Sequence, residues 1–217
     1  MYVREYMSTE VLTLTRDTPI HVAQRQMRDN RIHHSPVVDE KGRLIGLLTD
    51  RKLKEVIALF ASSLNAGTLQ EPLLNVKAED VMVKKVITIS PDAPLAEAGA
   101  LGVKHRIGAL PVVNRDGEMV GIITTTDLVK ALIQILRLSE PGVLLDFALD
   151  SGPVNLPEII EIIYKHRAKI KALFCTYPPQ VKREDLVIHI DVDDVDPINE
   201  ELKARGYSCT IARHGKY

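Results

Sequence analysis

The chain has 217 residues, room for one large or two modest domains with an aliphatic core and no need for disulfides or metals. Aromatic residues make up only 4% and tryptophan is absent, so the stacking platforms of single-stranded nucleic-acid binders are missing. Twenty-eight basic and 29 acidic side chains leave a net charge of −1, which excludes a global basic field for DNA.

The N-terminal segment, Met1 to Leu12, carries charges where a signal peptide needs an apolar stretch, and no apolar run reaches the about 18 residues of a membrane span. The two cysteines, Cys175 and Cys209, form no CxxC motif and no disulfide framework. The expectation is a soluble protein of a reducing compartment, cytoplasmic, with no membrane or nucleic-acid partner.

In chain order, residues 11–14 (VLTL) read as a short β-branched strand, and residues 20–30 carry helical spacing. Residues 35–39 and 43–49 read as two strands joined by a turn with Gly42 at a position open to positive φ. A helix is expected over 51–64. The same series then recurs: strand 86–89, helix 95–105, strand 110–114, turn at Gly117, strand 118–124, helix 126–138. Shifted by 75 residues, 3–53 overlies 78–128 without a gap, with 15 identities in 51 positions. They include Pro36-Val37-Val38 with Pro111-Val112-Val113, Gly42 with Gly117, Gly46 with Gly121, and Thr49 with Thr124. Each unit reads β-α-β-β-α, and pairing two units would bury faces that one would expose.

After Leu138, Ser139-Glu140-Pro141-Gly142 is a helix stop and linker. Strand 142–149, helix 155–168, strands 169–177 and 185–193, helix 196–206 and strand 207–213 follow. This βαββαβ order is the ferredoxin-like pattern, which would set the second and fourth strands at opposite edges and keep Cys175 far from Cys209. His189, Asp191 and Asp193 alternate along one strand face, with Asp146 on a neighbouring strand. The set reads either as a metal cluster or as a solvent-facing surface, and the second reading is preferred. No metal site is assigned.

The duplicated PVV–G–G–T skeleton resembles the CBS family, over residues 1 to about 138. The fold class expected is α/β (α+β): a tandem CBS pair of βαββα units, with repeats at 1–75 (linker included) and 76–138, followed by a ferredoxin-like domain at 139–217. The resemblance implies a disk-like pair that associates as a homodimer through the helices after each repeat, with adenosyl ligands in clefts between repeats. It also implies a G-h-x-x-P stretch for adenosine and a T/S-x-x-D motif for ribose. On this sequence these map to Ile107, Gly108, Ala109 and Pro111, then Thr124 and Asp127, with Val86 on the entering strand. A carboxylate suits ribose because it accepts from both hydroxyls. Thr124 and Asp127 also read as a plain helix cap.

The first repeat departs from the pattern, with Thr49-Asp50-Arg51-Lys52 and Ile32-His33-His34-Ser35-Pro36 at the matching places. His33, His34, Arg51 and Lys52 are assigned to phosphate or another anion, or else form a solvated edge. One competent and one altered site are expected. Arg31 and Arg106 recur in both copies and suit a structural salt bridge as well as a ligand.

The last third resembles the ACT family, whose ligand turn is approximated by residues 150–156, with Asn155 as candidate amino-acid ligand or, preferentially, helix cap. CBS pair plus ACT-like domain resembles the acetoin-utilisation protein B family of bacteria, implying a link to acetoin or central carbon metabolism. No GxSxG, HExxH or Walker A motif occurs. The function expected is a non-catalytic regulator that binds AMP, ADP, ATP or a related adenosyl compound, needs no cofactor and acts on a separate partner enzyme. The alternatives are a dimeric scaffold with vestigial nucleotide sites and a nucleic-acid-associated regulator.

Overall fold

The computed structural model describes residues 1–63, 75–149 and 154–214. It divides into two compact units, Met1–Leu128 and Val129–Tyr217.

In the first unit the 75-residue repeat is visible element by element. The first copy contains a 3-10 turn at Val3–Glu5, strand β1 (Leu14–Thr15), helix α1 (Ile20–Asp29), strands β2 (His34–Val38) and β3 (Leu44–Thr49), and helix α2 (Asp50–Ser63). The second has the short helix α3 (Ala78–Val81), helix α4 (Leu95–His105), strands β4 (Ala109–Val113) and β5 (Met119–Thr124), and helix α5 (Thr125–Ile135). β2 pairs antiparallel with β3, and β4 with β5, in matching register: His34 faces Thr49 as Ala109 faces Thr124. Gly42 (φ 75°) and Gly117 (φ 78°) turn the two hairpins in the left-handed region, where glycine meets no Cβ penalty.

The expected strands at 11–14 and 86–89 are mostly absent. Only Leu14–Thr15 pairs with β2, and the second copy keeps a single parallel bridge, Ile89 to Val112. The β-branched composition predicts strands over both segments, but only the last residues of each reach a partner strand. The stretch before them stays open, and Val86 and Ile87 line a cavity there.

The two copies are stitched reciprocally. Tyr2 bridges Pro94 as Pro19 bridges Lys77, and Ser8 bridges Ile122 as Leu47 bridges Val83. The entering segment of each repeat therefore lies against the returning strand of the other. Leu14, Ile20, Ala23, Met27, Val37, Leu48 and Leu53 form the first repeat's buried core, to which Ala78 and Val81 of the second contribute. Burying these aliphatic side chains supplies the main stabilising term.

The second unit is one antiparallel sheet with strands β6 (Gly142–Ala148), β7 (Lys169–Thr176), β8 (Asp185–Asp191) and β9 (Thr210–His214), in the order β7-β8-β6-β9. Helices α6 (Leu156–Lys165) and α7 (Asp196–Ala204) complete the βαββαβ sequence. The second and fourth strands of the unit are its edges, and Cys175 and Cys209 are free thiols. Val143, Leu145 and Phe147 alternate inward on β6, as Leu186, Ile188 and Ile190 do on β8, against Ile159, Ile162, Ile163, Ile198 and Leu202 of the helices.

The opposite face of β8 departs from the solvent-facing surface expected there. His189 has no exposed surface, and Asp185 and Val187 are also buried. The His189 ring sits over Gly142, and its Nδ1 lies 3.3 Å from the Leu136 carbonyl oxygen. Asp191 is exposed and pairs with Lys171 at 3.2 Å, while Asp193 lies beyond the strand end. Among the described residues, no group of three or more His, Cys, Asp or Glu side chains converges to hold a metal ion.

Candidate ligand site

Reciprocal stitching leaves a cavity of about 440 Å³ inside the first unit, within the size range of small-molecule sites. One wall comes from the second repeat: Val86 and Ile87 on the open entering segment, and Ile107, Gly108 and Ala109 leading into β4. The facing wall comes from the first repeat: His34 at the start of β2, Leu47 and Thr49 on β3, and Arg51, Lys52 and Glu55 on the first turns of α2. Val83, Lys85 and Arg106 complete the rim.

The predicted residues thus divide across repeats. Val86, Ile107, Gly108 and Ala109 meet His34, Arg51 and Lys52 in this one cavity. Pro111, Thr124, Asp127 and His33 are not among its lining residues. Pro111 is buried mid-strand opposite Ile122, and His33 is exposed, with Nδ1 3.8 Å from an Asp50 carboxylate oxygen. Leu47, Glu55, Val83, Lys85 and Ile87 were missed, because nothing along the chain says which helix start will face which loop.

Gly108 forms part of the wall without being sterically required by the fold. A Cβ there would lie 3.4 Å from His34 Cε1 and 3.9 Å from Thr125 Oγ1, ordinary van der Waals separations. Its backbone carbonyl accepts from Thr125 N–H at 3.0 Å, which fixes the loop to the start of α5. Burial, with His33 close by, holds the His34 imidazole below the usual histidine range and favours its neutral form. A neutral ring at this wall can donate or accept a hydrogen bond, and a bound anion would favour the protonated ring.

Thr124 and Asp127 form a reciprocal cap at the start of α5. Thr124 N–H and Oγ1–H donate to Asp127 Oδ2 at 2.9 and 2.7 Å, and Asp127 N–H donates to Thr124 Oγ1 at 3.3 Å. The first repeat keeps half of this device: Lys52 N–H donates to Thr49 Oγ1 at 3.1 Å, and the lysine side chain has no return bond to offer. Asp127→Ala should therefore cost about 1 kcal/mol of stability and Lys52→Ala less than about 0.5. Urea unfolding of the two variants checks this difference.

Arg31 and Arg106 share an unusual backbone conformation. Arg31 follows the Asn30 C-cap of α1 and Arg106 caps α4, both in the left-handed region at φ 53° and 55°, a conformation glycine adopts at less cost. Asn155 occupies the position before α6, but its side chain makes no cap hydrogen bond, so the capping role preferred from sequence is not realised. Residues 150–153 of the turn compared with the ACT family lie outside the described residues.

The CBS domain family matches residues 3–59 and 78–134, more than half of the chain. A CBS domain-containing protein of Dictyostelium discoideum is 34% identical over 136 residues, covering 62% of this chain and 93% of that protein. The CBS domain pair of protein MJ0100, solved in complex with 5′-methylthioadenosine and S-adenosyl-L-methionine, is 26% identical with a TM-score of 0.52, over 61% of this chain and 95% of that one. A candidate acetoin utilization protein of Vibrio cholerae is 30% identical with a TM-score of 0.54, over 64% of this chain and 94% of that one. Together with the duplicated fold, these matches show that the chain belongs to the CBS domain family and carries a tandem CBS pair.

Proposed function

We propose that this protein is a non-catalytic regulator whose CBS pair binds an adenosyl ligand in the cavity between the repeats and acts on a separate metabolic partner. The observation that carries the proposal is the cavity itself, which brings Ile107, Gly108 and Ala109 together with Arg51 and Lys52 of α2. Backbone groups at a glycine can meet the edge of a purine, and the apolar side chains of Leu47, Val83 and Val86 can cover its faces. The adenosyl compounds bound by the MJ0100 pair support that ligand class.

The 75-residue shift assigns the remaining predicted residues to an equivalent second cleft. There Thr124 and Asp127 would face Val11, Ile32 and His33, as Thr49 and Lys52 face Val86, Ile107 and Gly108. Asp127 then serves ribose from that side, while capping α5 as the structure places it. The two clefts differ in charge at one decisive position, lysine in one and aspartate in the other.

The repeats and third domain are proposed to divide at 1–75, 76–138 and 139–217. The last is read as an ACT-like domain on its strand order, β7-β8-β6-β9, with Asn155 as its candidate amino-acid contact. Association as a homodimer through α2 and α5 is supported by exposed Val129, Leu132 and Ile133 on α5 and Leu59 on α2. The same exposed residues favour the second reading, a dimeric scaffold with vestigial sites. A cytoplasmic setting is part of the proposal, as is a role in acetoin or central carbon metabolism, the latter supported by the likeness to the Vibrio cholerae protein.

Calorimetry with AMP, ADP, ATP, S-adenosylmethionine and methylthioadenosine tests the proposal. At least one should bind, and Gly108→Ala should weaken it about ten-fold or more while shifting stability by less than about 1 kcal/mol. No heat and no thermal shift with any of the five would leave the scaffold reading.

A further inference from the structure

The cavity carries an unequal charge. Four cationic side chains line it, Arg51 and Lys52 from the first repeat and Lys85 and Arg106 from the second, against one carboxylate, Glu55. That carboxylate is paired at both oxygens: Arg51 Nε–H donates to Glu55 Oε1 at 3.1 Å, and Lys52 Nζ donates to Oε2 at 3.4 Å. These two hydrogen bonds hold the Glu55 carboxyl below the usual range. Lys85 and Arg106 have no ion pair among the described residues. Arg106 in addition holds its left-handed backbone conformation at a steric cost glycine would avoid, which leaves a guanidinium on the cavity rim.

We infer that Glu55 is a built-in counter-anion that competes for the cations lining this cavity, and that a nucleoside di- or triphosphate displaces it. The inference rests on the reading of this cavity as an adenosyl site and names its ligand class.

The exchange is electrostatically favourable. Glu55 brings one negative charge to Arg51 and Lys52 through solvent-accessible pairs, which are weakly held. A di- or triphosphate brings several charges and oxygens suited to the forked guanidinium, and it also engages Lys85 and Arg106. A sulfonium ligand meets the opposite sign, since its positive charge would approach four cations. The cavity thus selects by charge at the end of the ligand remote from the base. Lys52 matters most in this respect, because the equivalent position in the other repeat is Asp127.

Glu55→Gln keeps the side-chain shape and removes the charge. Calorimetry on the full chain at low ionic strength should show ATP binding to this variant about five-fold tighter than to the parent, because two weak competing pairs are lost. Methylthioadenosine, which has no phosphate, should change by less than about two-fold. Lys85→Ala, which touches no Glu55 contact, should weaken ATP about five-fold or more and leave methylthioadenosine unaffected. Unchanged or weaker ATP binding by Glu55→Gln, equal tightening of both ligands, or binding of methylthioadenosine but not ATP to the parent chain would each overturn the inference while leaving the adenosyl site in place. Failure of the parent chain to bind any adenosyl ligand would instead overturn the underlying reading.

Discussion

Gly142→Ala is expected to destabilise the second unit by about 2–3 kcal/mol, lowering its melting temperature by roughly 10 °C or more. A methyl group at this first residue of β6 would sit 2.6 Å from the Ile190 carbonyl oxygen and collide with the His189 ring. Neither neighbour can yield cheaply. The Ile190 carbonyl belongs to the ladder between β6 and β8, and the His189 ring has no exposed surface. The usual entropic gain from replacing glycine offsets only about 0.4–1 kcal/mol of this. Adding His189→Ala should recover part of the loss, since it removes the ring but not the carbonyl. Thermal unfolding of the two single variants and the double variant measures the coupling. A Gly142→Ala protein as stable as its parent would mean that β6 and β8 do not approach as described.

The second large effect separates two glycines that the repeat makes equivalent. Gly46 on β3 and Gly121 on β5 occupy matching positions, and each receives a methionine from the other repeat's entering segment, Met82 and Met7 respectively. At Gly121 an added Cβ would also meet the Ser8 backbone oxygen at 2.9 Å, and that oxygen accepts from Ile122 N–H at 3.0 Å in the bridge between repeats. At Gly46 the nearest atoms all belong to the Met82 side chain, which can move. Gly121→Ala should therefore cost about 2 kcal/mol and Gly46→Ala no more than about 1. Denaturant unfolding compares them directly. Equal costs would show that the two interfaces between repeats are more alike than these contacts.

Much of this architecture was legible because duplication shows in sequence as a constant offset. The two positive-φ turns at Gly42 and Gly117, the strands at Pro36 and Pro111 and the helix at 95–105 follow from local chemistry: glycine for the turns, β-branched residues for the strands, helical spacing for the helix. The ferredoxin-like strand order was legible for the same reason, since βαββαβ connectivity leaves few arrangements. The binding site was legible only in pieces. Gly108 was read with Thr124 and Asp127, its neighbours in the same repeat, whereas the cavity sets it opposite Thr49 and Lys52 of the other. Which repeat's helix faces which repeat's loop is a property of packing, and no residue pattern along the chain encodes it.

His189 shows a second limit. Alternation on β8 separates two faces, but it does not say that both are buried. Here a glycine on the adjacent strand and the carbonyl at Leu136 make room for the ring. Glu55 illustrates a third. On the sequence it is one more charged residue of an amphipathic helix, and its pairing with Arg51 and Lys52 gains meaning only when Lys85 and Arg106 are brought to the same rim.

The most direct measurement is a crystal structure of the full chain grown with ATP. Adenine is expected against the Ile107–Gly108–Ala109 backbone, phosphates among Arg51, Lys52, Lys85 and Arg106, and Glu55 turned away from both α2 cations. A nucleotide bound elsewhere, or one in this cavity with Glu55 still held between Arg51 and Lys52, would contradict it.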